Sequence, residues 1–142
     1  LADRLGGMPA GVRRTEHVAF GLLGATRRPW RDSPHTFGAR GGFMNPTTGY
    51  SVAASLAAVD PLTRTVVGGG DPADALWPDR ARAVYALRLR GLGVLLRLDE
   101  TQMTMFFDAF FTLPIEAQRS YLSSRDDLVG TLRAPAGRTP CD

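Results

Sequence analysis

Apolar positions recur with a helical period through most of the second half of this chain. Between residues 73 and 97, Trp77, Ala81, Val84, Tyr85, Leu92, Leu95 and Leu96 fall on one stripe of a helix. Pro78 must belong to its first turn, and Gly91 and Gly93 weaken its far end. Met103, Phe106, Phe107, Phe110 and Phe111 follow at i, i+3, i+4, i+7 and i+8, which predicts a next helix capped by Asp99 or Thr101 and ended by Pro114. Residues 115–132 read as a fourth helix, and 133–142, with two prolines and a glycine, as a disordered tail. Upstream, Val52, Leu56 and Val59 with alanines between them predict a helix over 47–59 that packs closely on at least one side. The short apolar run 17–25, bounded by glycine, reads as a buried strand, and 36–40 as a short strand or extended entry. Two prolines and mixed charge make 26–35 a loop, and the glycine cluster at 68–72 breaks the pattern before the long stripe.

Length and composition narrow the class. The 142 residues suffice for one ordinary core, and 44% hydrophobic with 22% charged residues is a globular balance without a run long enough to span a bilayer. The net charge of +3 comes from 17 basic residues that are all arginine and lie scattered, so the dense basic run interleaved with aromatics that nucleic acid calls for is missing. The wealth of Ala, Gly and Arg points to a GC-rich coding sequence. A single cysteine, Cys141, allows no intrachain disulfide and fits a reducing compartment. His17 and His35 lie far apart without a carboxylate cluster, so no metal site is expected. Ser51, Asp126 and His35 do not form a hydrolase spacing, and no nucleophile elbow is present. Leu1 is not a natural start, and no charged region leads into an apolar stretch as in a signal peptide, which suggests a chain that begins mid-protein.

One stretch stands apart. FGARGGFMNPTTGYSVAASL, residues 37–56, places four glycines, a proline and two threonines before small helical residues. Strand, glycine-rich turn and helix start, with Pro46, Thr47, Thr48 and Gly49 in the first turn, is an arrangement that offers free N–H groups and the positive end of a helix dipole to an anion. A lone glycine-rich turn is more often only a tight turn, and spacing alone does not decide between the two.

The same stretch resembles the second flavin-contacting segment of lycopene β-cyclases, where a Phe-Gly entry, paired glycines and a Pro-x-Thr-Gly-Tyr-Ser run precede a small-residue helix. RGLGVLLRLD (90–99), FFDAFFTLP (106–114) and YLSSR (121–125) are similar to the C-terminal helices of that family in the same order, and the likeness covers roughly residues 16–133. Neither a GxGxxG strand–turn–helix unit nor the family's upstream acidic motif appears, so the resemblance is to the C-terminal part of such an enzyme.

The resemblance implies an α/β fold belonging to a two-domain FAD/NAD(P)-binding flavoprotein, with this portion mostly α-helical plus one or two short strands. It divides the chain into the end of a substrate domain and its connection (1–35), a flavin-contacting segment (36–60), a helical region (61–132) and a tail (133–142). It implies reduced FAD as cofactor, with NAD(P)H as an indirect reductant. The cofactor would be bound by Gly38, Ala39, Gly41 and Gly42 along the ribityl and pyrophosphate portion, and by Pro46, Thr47, Thr48, Gly49 and Tyr50 at the ring. The implied activity is a non-redox cyclisation of the ψ-ends of lycopene to β-rings. Its general acid belongs to a preceding Rossmann half, and the enzyme would be cytoplasmic and peripherally bound to a membrane surface. Phe106, Phe107 and Phe110 are candidates to line a tunnel for the lipophilic polyene, although an apolar helical stripe is more often plain core. Arg40 and Asn45 depart from the family pattern, which more often has a small residue and a histidine there. A related flavin oxidoreductase, such as a monooxygenase or prenyl reductase, and a non-enzymatic helical binding module are the alternatives.

Overall fold

The computed structural model describes residues 34–133 without interruption, together with 28–31 and positions 6, 7, 11, 14–17 and 19. Among the described residues, six α-helices follow one 3-10 turn, Pro29–Arg31: α1 (Val52–Val67), α2 (Pro72–Leu76), α3 (Asp79–Leu95), α4 (Glu100–Phe111), α5 (Ile115–Ser123) and α6 (Leu128–Arg133). No strand occurs among the described residues. The apolar run 17–25 falls mostly outside them. The expected strand at 36–40 is corrected: 38–42 is a tight turn in which the Gly38 carbonyl accepts from the amides of Gly41 and Phe43, both at 3.0 Å.

The main core is built on small residues of α1 and aromatic rings around it. Ala54 and Ala58 are buried against Phe43, Leu76, Trp77, Ala81 and Tyr85. Methyl-sized side chains let the backbone of α1 approach the Trp77 indole, whose centroid lies 5.5 Å from those of Trp30 and Tyr85 and 6.0 Å from Phe43. The alanines, not the valines, therefore form the packed side. Val52, Leu56 and Val59 are 72%, 69% and 45% exposed, the reverse of what their spacing suggests. α1 also runs to Val67, through Pro61, well past the expected end at 59.

The single helix expected over 73–97 is two. Trp77 leaves the helical region (φ −134°, ψ 59°) and Pro78 becomes the N-cap of α3, because the ring of a proline disfavours α geometry in the residue before it. α3 buries Ala81, Val84, Tyr85 and Leu95 as expected, and also Arg88, while Leu96 is exposed. α4 has a full capping box: the Asp99 carboxylate accepts from the Gln102 amide at 2.8 Å and the Gln102 side chain accepts from the Asp99 amide at 3.1 Å. Of its five apolar stripe positions only Phe110 is buried, in a second cluster with Tyr121, Leu113 and Leu122. The expected helix 115–132 breaks after Ser123 and restarts at Leu128, where Asp127 accepts from the Gly130 amide. No described helix is long and apolar enough to cross a membrane.

Candidate functional site

Residues 45–50 form a turn organised by one side chain. The Asn45 carboxamide oxygen accepts from the Thr47 amide at 3.1 Å and the Thr47 hydroxyl at 2.8 Å. Its backbone carbonyl accepts from the amides of Thr48 (3.2 Å) and Gly49 (2.8 Å). The Tyr50 amide donates to the Thr48 hydroxyl, and the Asn45 amide closes the turn on the Tyr50 carbonyl at 2.8 Å. Asparagine competes in this way with helix formation, and Gly49 takes the positive φ (77°) that ends the turn. The helix starts at Val52, not near Thr47, so the expectation that Pro46, Thr47, Thr48 and Gly49 form its first turn is corrected. The amides of Thr47 to Tyr50 are consumed within the turn, Pro46 is fully buried, and Tyr50 points to solvent.

The two halves of the glycine-rich segment behave differently. A Cβ on Gly41 would collide with the Thr36 backbone carbonyl, and one on Gly42 would lie 2.5 Å from the Pro29 ring and 3.2 Å from Trp77. These glycines are small because the chain packs on itself there. Gly38 also has positive φ (69°), but a Cβ there meets nothing closer than Ser55 Oγ at 3.9 Å. Next to this open space is the start of α1, where Ser51 makes no side-chain cap. The first-turn amides Val52, Ala53 and Ala54 have no intrahelical partner by helix geometry. That donor set suits an anion: unpaired N–H groups, the positive helix end, and bare backbone alongside.

Two arginines that the sequence does not single out hold the frame. Arg88 is buried and donates to the carbonyls of Ser120, Tyr121 and Ser124, at the C-terminal end of α5. Asn45 Nδ2 donates to two of the same group of orphan carbonyls, Tyr121 (2.9 Å) and Leu122 (3.3 Å). Arg125 donates to the Leu76 carbonyl that ends α2 and lies 3.7 Å from the centroid of the Phe43 ring. Each guanidinium thus meets the negative end of a helix instead of a carboxylate. Burial pulls both down to about 10; Tyr121 partly offsets this for Arg88, and Asp126 for Arg125, while the two arginines repel each other. A signal was present for Arg88, which sits at i+7 from Ala81 on the buried stripe of α3.

α4 stands off α3 and leaves a mainly apolar slot of about 270 Å³, walled by Leu87, Gly91, Val94, Phe106, Phe110 and Tyr121, with Arg90 and Thr131 also in its lining. Phe106 and Phe110, two of the three aromatic candidates, line it. Phe107 lies at a small neighbouring crevice of about 30 Å³ shared with Thr47 and Thr48. Among the described residues, no three of His, Cys, Asp and Glu converge on a point that could hold a metal.

Comparison with known proteins completes the picture. Residues 2–136 match the family described as "Lycopene cyclase protein". The chain is 38% identical to a lycopene beta cyclase, chloroplastic, of an Oncidium hybrid cultivar over 105 residues, which is 66% of this chain and 22% of that protein. It is 30% identical to an uncharacterized carotenoid cyclase of Deinococcus radiodurans over 132 residues, 87% of this chain and 32% of that one. A neoxanthin synthase, chloroplastic, of Solanum lycopersicum is 33% identical over 62% of this chain. The match thus spans about a fifth to a third of these relatives' length. No solved structure matches.

Proposed function

Because this chain belongs to the lycopene cyclase family, we propose that it is the C-terminal part of a two-domain flavoprotein that closes the ψ-ends of lycopene into β-rings without net redox change. The observation that carries the reading is the adjacency of two unlike sites across one short turn. Thr47 and Thr48 line a crevice that shares Phe106, Phe110 and Tyr121 with the apolar slot, and the uncapped start of α1 follows directly after Tyr50.

The FAD would be held by Gly38 and the amides of Val52, Ala53 and Ala54, with Thr47, Thr48 and Gly49 acting as the rigid turn that aims that helix. This moves the anion site a few residues on from the expected Pro46–Tyr50. Bound in its reduced form, the flavin supplies a negative charge that stabilises positive charge developing in the substrate. The helix end contributes about half an elementary charge toward holding that anion.

The slot does the complementary work. Its walls are almost wholly apolar, so a polyene end seated there is shielded from water that would trap a carbocation. The faces of Phe106 and Phe110 present the negative side of their quadrupoles, an attraction of about 0.5–2 kcal/mol for a nearby cation. No carboxylate lines the slot; the proton that begins ring closure comes from an acid outside this set of residues. A lipophilic substrate implies peripheral contact with a membrane surface.

Expression of the full-length protein in a lycopene-accumulating host tests this reading. Cyclic carotenoid and co-purifying flavin are expected. Unaltered lycopene from a well-expressed protein overturns it.

A further inference from the structure

Arg88 and Arg125 share the lining of a second, much smaller cavity, together with Gly42 and Met44 of the glycine-rich segment and Trp77 and Tyr85 of the aromatic core. Its polar side chains all carry hydrogen-bond donors: two guanidiniums, the Trp77 indole and the Tyr85 hydroxyl. No acidic residue lines it.

Neither of these cations is paired with an anion. Among the described residues the ion pairs are Arg82–Asp79 and Arg119–Glu116. Arg88 is only 5% exposed, and its three bonds to the carbonyls at the end of α5 all come from Nη2. Its Nε is shut off from solvent and has no partner among the described residues. Arg125 donates to the Leu76 carbonyl and lies against the faces of Phe43 and Trp77, 3.7 and 4.8 Å from their centroids. Carbonyl dipoles and ring faces offer partial charges only, and the two guanidiniums repel each other. Buried charge without a full counter-charge is costly, so the arrangement calls for a negative group that no described side chain supplies.

Size narrows what that group can be. The cavity measures about 10 Å³, room for one body of water size. A phosphate, sulfate or carboxylate is too large. A water fits, but it brings no charge and has to place its own two hydrogens among side chains that chiefly donate. A single halide ion accepts from several donors at once and carries the missing charge.

We propose that the cavity between Arg88, Arg125 and Tyr85 binds one chloride ion, which compensates the two guanidiniums and fastens the glycine-rich segment, through Gly42 and Phe43, to the frame of α3 and α5. The site shares no lining residue with the slot between α3 and α4. It requires no particular substrate and stands or falls independently of the cyclase reading.

The test uses the full-length protein. Thermal melting is followed at constant ionic strength while sodium gluconate is exchanged for sodium chloride or bromide, and crystals grown in bromide are measured at the bromine absorption edge. Both halides should raise the melting temperature saturably, by about 2 °C or more, while gluconate, too large for the cavity, gives no such rise. An anomalous peak should stand between the guanidiniums of Arg88 and Arg125. Arg125→Gln, which removes one cation, should raise the half-saturating halide concentration by about tenfold or more. If that variant does not fold, the wild-type crystal and melting curves decide alone. The proposal is overturned by equal melting in chloride and gluconate, by a cavity without anomalous signal, by bromide at surface arginines only, or by Arg125→Gln that responds as wild type does.

Discussion

Asn45 and Tyr121 are joined across 76 positions of sequence by a buried hydrogen bond, Asn45 Nδ2 to the Tyr121 carbonyl at 2.9 Å. The same carboxamide organises its own turn through Oδ1, so one side chain ties the glycine-rich segment to the end of α5. Truncation strips donors from two carbonyls and an acceptor from Thr47 at once. Asn45→Ala should destabilise this region by about 2–4 kcal/mol, because buried polar groups left unpaired cost more than an average hydrogen bond contributes. Amide exchange at Thr47, Thr48 and Gly49 should rise together; unchanged protection would show that the carbonyl of residue 45 holds the turn without its side chain.

The glycines separate packing from binding. Gly41→Ala and Gly42→Ala should lower the melting temperature and lose flavin, since a methyl has no room against Thr36 or Pro29. Gly38→Ala carries a strained φ but meets open space, so its stability loss should be only about 1 kcal/mol. If Gly38 lies beside the cofactor, that variant loses flavin out of proportion to stability. Flavin content that tracks melting temperature through all three would remove Gly38 from the site.

Acid should act first on the junction of α5 and α6. Asp127 accepts from the Ser120 hydroxyl at 2.6 Å and the Gly130 amide at 2.8 Å, which holds its carboxyl below the usual carboxylate range; Arg133 adds to the effect and burial opposes it. The ionised form is thus favoured in the folded state. Its contribution is complete above the unfolded value of about 4 and is lost as pH falls through the lower folded value, because the unfolded chain takes up the proton first. Asp127→Asn should remove this part of the acid sensitivity, seen as a flatter dependence of Gly130 amide protection below about pH 4. A variant whose profile superimposes on wild type would assign the sensitivity to another group.

What the sequence disclosed follows from how local each determinant is. The Asp99 cap, the helix it begins and most of the α3 stripe depend on residues three or four apart, and the pattern located them. The start of α1 is not legible in the sequence because Pro-Thr-Thr-Gly satisfies the rules for a helix N-terminus and for a turn equally well. Asn45 decides it: its side chain captures the Thr47 amide and its carbonyl those of Thr48 and Gly49. The spacing of Val52, Leu56 and Val59 identifies a helix but not which of its two apolar stripes, valine or alanine, meets the core; the alanines do. Arg125 looks like any other scattered arginine until the helix end it caps, 49 residues away, is brought to it; Arg88 falls on the buried stripe of α3, but the carbonyls it meets lie 32 to 36 residues away and its spacing does not name them. The slot was unreadable for the same reason: its lining comes from α3, α4, α5 and α6, and it exists because α4 stands off its neighbour.

That stand-off makes α4 dependent on its own cap. Its one buried residue is Phe110, near the far end, so little tertiary packing holds the first turn around Glu100 to Met103. The reciprocal bonds between Asp99 and Gln102 satisfy two backbone groups there and set the angle at which the helix leaves α3. Asp99→Ala should cost about 1 kcal/mol, which appears as roughly fivefold faster exchange at the Gln102 amide. Asp99→Asn, which still accepts that bond, should recover most of the loss. Because Phe106 and Phe110 ride on this helix, fraying at its start should widen the slot and weaken polyene binding in Asp99→Ala but not in Asp99→Asn. Equal binding by the two variants would mean that Phe110 alone, through its contact with Tyr121, fixes the wall of the slot.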